Sequence, residues 1–353
     1  MKKRIILTTI GIAVLALGVV TAGYAAKSSS HKTAATTFKV GLVTDIGGLN
    51  DRGFNHLSYT GLLRAEKNLH IQGKVLTSNS GADYIPNLSS LAEKGYNLVI
   101  GVGFLQESAI QKMAKQFPKT HFAGVDMNAI ADFTKPKITK NFEGLIFAEN
   151  EVGYEVGYLA GLEAKRISKG DSSKNIVSSV GGIPVPAVIR YIAGYQAGAK
   201  AADPGVKAVN GYSQDFQATD KCKNIALNQI AQGSQVVFQV AGGCGLGALD
   251  AAKEKNVWGI GVDSDQSFYN NRVLTSAQKK VDVAVYTAIA NLVHGKFAAG
   301  NNLLFNAKNG GVGLGKIHAG IPKSEITATL AVAAKVASGK IKPPTKCSPS
   351  PNC

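Results

Sequence analysis

Cysteine is scarce in this chain: Cys222, Cys244, Cys347 and Cys353 are the four in 353 residues. No C-x-x-C spacing and no paired histidine accompanies them, which argues against a zinc site. An even count suits an oxidising compartment and allows three pairings. Cys347 with Cys353 would close a small loop in a Pro/Ser tail, and Cys222 can meet Cys244 within one domain; four free thiols are the alternative. Histidine is equally sparse, and His31, His56, His70, His121, His294 and His318 are scattered, none in a recognisable catalytic motif. Acidic residues are outnumbered, 23 to 39, for a net charge of +16. The basic residues are dispersed, with no run of five or six and no zinc-knuckle or RNA-recognition motif. That pattern excludes nucleic acid as the expected partner and leaves a solvated basic surface, suited to anionic lipid or wall polymer. Beyond Val20 no apolar stretch approaches the length that spans a bilayer.

What is present begins with Lys2-Lys3-Arg4, an apolar stretch from Ile5 to Val20, and small residues at Gly23-Tyr24-Ala25. This is the grammar of a secretory signal over 1–25, with cleavage after Ala25 and an uncleaved membrane anchor as the alternative. Without the three leading charges the net +16 becomes +13, so the body itself is basic. Residues 26–37 are Ser/Thr/Lys-rich without apolar period, a linker, and 342–353 form a Pro/Ser/Cys tail. A chain of 353 residues exceeds what one hydrophobic core serves, so two domains are expected.

From Phe38 onward, short apolar runs alternate with amphipathic stretches. Strands are expected at 39–44, 74–78, 98–102, 121–125 and 144–147, with helices at 51–69, 84–94, 106–116 and 149–167 and a loop at 130–140. A second series follows: strands 176–180, 207–212, 235–240 and 258–262, helices 185–202, 219–232 and 245–255. Then come strand 272–276, helix 281–294, a strand near 303–305 and a last helix over 322–338. Alternation of this kind predicts parallel sheets with right-handed crossovers, an α/β chain of two similar lobes. Gly153, Gly157, Ala160 and Gly161 give the helix at 149–167 a face narrow enough for close packing.

Chemistry concentrates at strand ends. The first strand runs into Thr44-Asp45-Ile46-Gly47-Gly48-Leu49-Asn50-Asp51-Arg52-Gly53-Phe54-Asn55 and then a helix. In open α/β sheets ligands sit at the carboxyl ends of strands, beside helix N-termini. Asp45, Phe54 and Asn55 put an acceptor, a ring and an amide at that edge, while Asp51 reads as the helix cap. Gly243-Cys244-Gly245-Leu246-Gly247-Ala248 satisfies a G-x-G-x-x-A pattern after an apolar strand, with Asp263 twenty residues on. That is the loose fingerprint of a dinucleotide site. Its position in the middle of the second series, and the absence of an evident acid or base, speak against a dehydrogenase. The same physics serves a ribose without redox chemistry, since a carboxylate accepts from two neighbouring hydroxyls.

As strings, the D-x-G-x-x-x-D-x-G-F-N segment with Tyr59 and Gly61, Tyr84-Ile85-Pro86-Asn87-Leu88, Phe122-Ala123-Gly124-Val125-Asp126, Glu149-Asn150-Glu151 and Ile260-Gly261-Val262-Asp263-Ser264-Asp265-Gln266 resemble the basic membrane protein family of ABC-transporter substrate-binding proteins. The likeness runs from Phe38 to about Ile341. It implies the type I periplasmic-binding-protein fold, two doubly wound parallel-sheet lobes joined by a three-crossover hinge, with 38–147 plus 268–300 in one lobe and 148–267 plus 301–341 in the other. It also implies a non-enzymatic, exported receptor that closes on a purine nucleoside (inosine, guanosine or adenosine), needs no cofactor and hands its ligand to an ABC permease. By motif, Phe54 and Phe216 match the two rings that stack the base, and Asp126 the carboxylate that reads its edge. Asn55 adds an amide contact, Asp45, Gly242 and Asp263 match the ribose side, and Lys279, with Lys280 as its rival, the sugar-binding lysine. Family members are commonly lipoproteins, but no cysteine follows the apolar run. The expected location is periplasmic or cell-surface without an N-terminal lipobox cysteine, with membrane association through the permease or an uncleaved segment. A pentose receptor of the same fold, a nucleoside hydrolase or dehydrogenase, and a surface sensor or adhesin are the competing readings.

Overall fold

The computed structural model describes residues 37–130, 140–348 and 353. The expected signal segment, nearly all of the linker and most of the 130–140 loop lie outside the described residues. In chain order the first lobe contains β1 (Lys39–Val43), α1 (Phe54–Leu69), β2 (Gln72–Leu76), α2 (Tyr84–Glu93), β3 (Leu98–Val102), α3 (Glu107–Gln116), β4 (His121–Val125) and β5 (Phe142–Phe147). The second begins with α4 (Glu149–Ser168) and continues through β6 (Ile176–Gly181), α5 (Pro186–Ala202), β7 (Lys207–Tyr212), α6 (Thr219–Ala231), β8 (Ser234–Val240), α7 (Gly245–Glu254), β9 (Trp258–Asp263) and β10 (Val273–Lys279). The chain closes with α8 (Val281–Val293), β11 (Asn302–Phe305), β12 (Val312–Leu314) and α9 (Lys323–Ala337).

The two sheets share one topology. Their orders are β2-β1-β3-β4-β5-β11 and β7-β6-β8-β9-β10-β12, so each is wound second-first-third-fourth-fifth and completed by a strand from the end of the chain. All pairings are parallel except β10 with β12. The central strands are buried on both faces, as in β3, whose five residues are all buried, because helices cover each sheet twice, whereas the edge strands β2 and β7 are partly exposed.

Strand pairing corrects the expected division at the C-terminal end. The strand expected at 272–276 was placed in the first lobe, yet β10 lies in the second sheet, parallel to β9 and antiparallel to β12. The terminal strand at 303–305 was placed in the second lobe, yet β11 is parallel to β5 in the first sheet. The backbone donors and acceptors of each strand need partners, and register with the neighbouring sheet edge decides which lobe supplies them. Helix α8 does pack in the first lobe, against α1, while α9 packs on α4. The chain still passes between lobes three times, from β5 into α4, from β10 into α8, and from β11 into β12.

Helices α4 and α5 form the closest helix pair. A Cβ at Gly157 would run into the Tyr195 carbonyl, one at Gly153 into that of Tyr191, and one at Gly198 into that of Tyr154. The glycine face of α4 is therefore what brings two backbones into contact. Two disulfides are present: Cys222–Cys244 joins α6 to the turn before α7, and Cys347–Cys353 closes the tail, with Cα separations of 5.6 and 5.1 Å.

Candidate functional site

The strand order reverses beside β1 in the first sheet and beside β6 in the second, and the loops leaving those strands and their neighbours face each other across the cleft. Between them lies a narrow cavity of about 70 Å³. Asp45, Phe54, Asn55, Asp126, Phe216, Gly242, Asp263 and Lys279 all line it.

On the first-lobe side, the Asp45–Asn55 loop is a closed hydrogen-bonded unit. Asp45 Oδ1 accepts from the Gly47 N–H (2.8 Å) and from Asn55 Nδ2 (2.8 Å), and the Asp45 N–H donates to Asn55 Oδ1 (3.2 Å). Asp51 accepts from the N–H groups of Gly53, Asn55 and His56 at 3.0, 2.7 and 3.1 Å, capping α1 through its side chain. Asn55 Nδ2 also donates to Asp51 Oδ2 (3.1 Å). Both donors of the Asn55 amide are thus spent on holding two aspartates, so its part is to position Asp45. Gly103 has φ +98°, and a Cβ there would lie 2.7 Å from Asp45 Oδ2, so glycine is what lets β3's loop approach that carboxylate.

Asp126 and Asp263 end the fourth strand of their respective sheets, and both sit in the left-handed region with φ +63°. Asx residues tolerate that conformation better than other side chains, at some cost in strain. Their surroundings differ. Asp126 Oδ2 accepts from Lys279 Nζ at 2.6 Å, while Asp126 Oδ1 is buried with no hydrogen-bond partner. Asp263 Oδ1 accepts from the Tyr191 hydroxyl at 3.2 Å.

Lys279, only 1% exposed, sits at the second crossing between lobes. Besides Asp126 it donates to Glu149 Oε1 (2.8 Å), and Arg190 Nε donates to Glu149 Oε2 (2.6 Å). Its ammonium lies 5.1 Å from the centre of the Phe54 ring and 4.8 Å from that of Phe147. Lys280 turns aside to bond the Gln278 side chain, so of the two lysines Lys279 faces the cavity.

Burial drives the titration of these carboxyls. It pushes Asp45 up to about 6 against the pull of Asn55 and Gly47. It pushes Asp263 up to about 7 despite Lys279. Burial also raises Asp126, with Lys279 opposing it. For Glu149 burial acts upward too, but Lys279 and Arg190 outweigh it and hold that carboxyl below its usual range.

On the second-lobe side, Phe216 lies in the turn after β7 and its carbonyl accepts the Cys244 N–H (3.0 Å). Gly242 has φ +55°, and a Cβ there would meet that same carbonyl at 3.4 Å. The G-x-G-x-x-A stretch serves packing: a Cβ at Gly245 would strike the Gln239 side chain, and one at Gly247 the Thr219 carbonyl. Across the mouth, Ser264 Oγ donates to the Arg52 carbonyl (2.6 Å) and Gln217 to that of Ile46. Both are contacts between lobes.

Glu149, Arg190 and Tyr191 did not stand out in the sequence. A glutamate at a helix start reads as a dipole partner and an arginine on a helix as solvated; only the Glu149-Asn150-Glu151 string carried a hint. Among the described residues no group of three or more His, Cys, Asp or Glu has metal-binding geometry.

Residues 38–345 match the family described as ABC transporter substrate-binding protein PnrA-like. The chain is 35% identical, over 98% of its length and 100% of the relative's, to the ABC transporter nucleoside-binding protein BmpA of Lactococcus lactis subsp. cremoris. It is 32% identical, over the same shares, to a CD4+ T-cell-stimulating antigen of Listeria innocua. Among solved structures, an ABC transporter system solute-binding protein from Aeropyrum pernix superposes with a TM-score of 0.77 at 27% identity, covering 86% of this chain and 92% of that one. The chain belongs to the PnrA-like family of ABC-transporter substrate-binding proteins, which are extracytoplasmic receptors and not enzymes.

Proposed function

We propose that the chain binds a purine nucleoside in the cavity between its lobes and delivers it to an ABC permease from the outer side of the cytoplasmic membrane. One observation carries the reading: a buried carboxylate oxygen, Asp126 Oδ1, has no partner in a cavity that also holds one ring from each lobe, Phe54 and Phe216. An unsatisfied buried acceptor costs stability unless a ligand donor completes it. The N1–H of a 6-oxopurine is such a donor, and two flanking rings suit a flat base. Asp45 and Asp263 supply acceptors for the ribose hydroxyls, and Lys279 holds Asp126 Oδ2 so that Oδ1 is left for the base edge. Likeness to a nucleoside-binding relative supports the same ligand class.

Ligand binding is coupled to closure because the site draws on both lobes. A guest that touches Phe54 and Asp126 on one side and Phe216 and Asp263 on the other favours the state in which the lobes meet. Stacking contributes about 1–3 kcal/mol per ring by analogy with base–aromatic contacts. Calorimetric titration with inosine, guanosine, adenosine and ribose tests the reading. Heat is expected from the nucleosides, with inosine or guanosine ahead of adenosine. Tight ribose binding without nucleoside heat would overturn it in favour of a sugar receptor.

A further inference from the structure

We propose that the lysine-lined edge of the first lobe, on the side of its sheet away from the cavity, is a docking surface for the anionic lipid headgroups of a membrane. Every strand of that sheet runs parallel, so the strand starts and the helix ends that lead into them share one edge. Lys67 and Lys115 lie in the last turns of α1 and α3, and Lys94 ends α2. Lys119, Lys140 and Lys296 stand in the connections that lead into β4, β5 and β11. All six are exposed, and none of them has an ion-pair partner among the described residues.

Lysines at helix C-termini are favoured by the backbone dipole in any lobe, so position alone proves nothing. The second lobe supplies the comparison. There acids are interleaved with the bases: Asp171 pairs with Lys174, Glu254 with Lys255, and Glu163 and Glu325 with Arg166. On the first lobe's edge Glu66 is bonded to the Gly73 N–H, which leaves Glu93 as the exposed acid among the six lysines. Charge left without a partner in the protein is charge that an anionic surface can neutralise. Two features select a bilayer over a soluble polyanion. Half-buried rings stand between the lysines: Tyr96 follows Lys94, Phe117 precedes Lys119 and Phe297 follows Lys296. Rings beside lysines settle at headgroup level, where one end is apolar and the other wet. The chain also enters β1 at this edge, so in the sequence the expected signal segment, with its apolar run from Ile5 to Val20, leads into the same end of the lobe. The cavity lies at the other ends of the strands, and lipid contact leaves it free.

The experiment sediments the full chain with sucrose-loaded vesicles of phosphatidylcholine alone and of phosphatidylcholine with phosphatidylglycerol. The ratio of the two partition coefficients cancels any insertion of the apolar run. It is measured for the unmodified protein and for Lys67→Gln, Lys115→Gln and Lys119→Gln combined. Lys165→Gln, Lys200→Gln and Lys253→Gln combined, at exposed helix ends of the second lobe, remove the same charge. The expected ratio is about tenfold or more at low salt and collapses at high salt. At about fivefold per lysine, the first-lobe variant should bring the ratio close to one, and the second-lobe variant should change it less than about threefold. If the triple variant does not melt cooperatively, Lys119→Gln alone decides, with a loss of about fivefold expected. A ratio near one in the unmodified protein overturns the proposal, and equal losses in the two variants overturn its assignment to the first lobe. Binding to soluble poly(glycerol phosphate) but not to anionic vesicles makes the partner a wall polymer and overturns the lipid assignment.

Discussion

The two lobes repeat one plan and fill it differently. Both sheets run second-first-third-fourth-fifth, both place an aspartate with φ +63° at the end of the fourth strand, and both place a positive-φ glycine after the third, Gly103 and Gly242. Beyond that the chemistry diverges. The first lobe contributes Asp45 and Asp51, held by one asparagine and a run of backbone N–H groups, and Asp126, held by Lys279 from the other lobe. The second contributes Lys279 and Arg190 and braces its cleft turn with the Cys222–Cys244 disulfide. Topology fixes where the functional atoms stand; side-chain partners decide which of them stay charged and which stay free.

Removing the cation that bridges the lobes breaks the comparison most severely. Lys279→Met leaves Asp126 and Glu149 buried with their main counter-charge gone, and breaking a buried pair in this way costs about 3–5 kcal/mol. Urea unfolding should show it, and calorimetry should show nucleoside binding lost; a change under about 1 kcal/mol would mean the carboxylates do not depend on Lys279. Next in size, Cys222→Ser with Cys244→Ser opens a loop of 22 residues, worth about 3 kcal/mol on the chain-entropy account. Hydrogen exchange should then rise in α6 and α7 while β1 and β3 of the first lobe keep their protection. Equal loosening of both lobes would contradict the view that only one is braced this way.

The smallest effect sharpens the contrast between the carboxylates. Asp263 of the second lobe titrates near 7 and Asp45 of the first near 6, both raised by burial. As ionised acceptors for hydroxyls, they should lose affinity in two stages as pH falls from 8 to 5.5, roughly tenfold in all. The unliganded protein should move the other way. A carboxyl whose folded pKa is raised is destabilising once ionised, so these two groups favour folding more as pH drops through 7 and then 6. Affinity and melting temperature measured across that range should therefore slope oppositely; parallel slopes would assign the titration to other groups.

Much of this was legible in the chain. Apolar runs ending in Asp45, Asp126 and Asp263 marked strand ends, and the Gly153-Gly157-Gly161 spacing marked a helix face made for close contact. The helix expected from 51 begins at Phe54 with Gly53 at its N-cap, and the Asp51 carboxylate accepts from two N–H groups of its first turn. What escaped was non-local. Val273–Lys279 and Asn302–Phe305 are both short runs with no local mark of which sheet they join, and each lies in the opposite lobe from the one expected. The hydrogen bonds that tie Asn55 to Asp45 and Asp51 exist only after folding. Glu149 and Arg190 lie 41 positions apart, and nothing in either neighbourhood announces an ion pair.

The glycine seam between α4 and α5 has a reach beyond packing. Five interlocking positions, Gly153, Gly157, Gly161, Gly194 and Gly198, set main chain directly on main chain, so the two rods can neither slide nor separate by the width of a methyl. One rod starts at Glu149; the other carries Val188, Arg190 and Tyr191. Any side chain grown along that seam, however far from the hollow, would shove a wall of the binding chamber out of true.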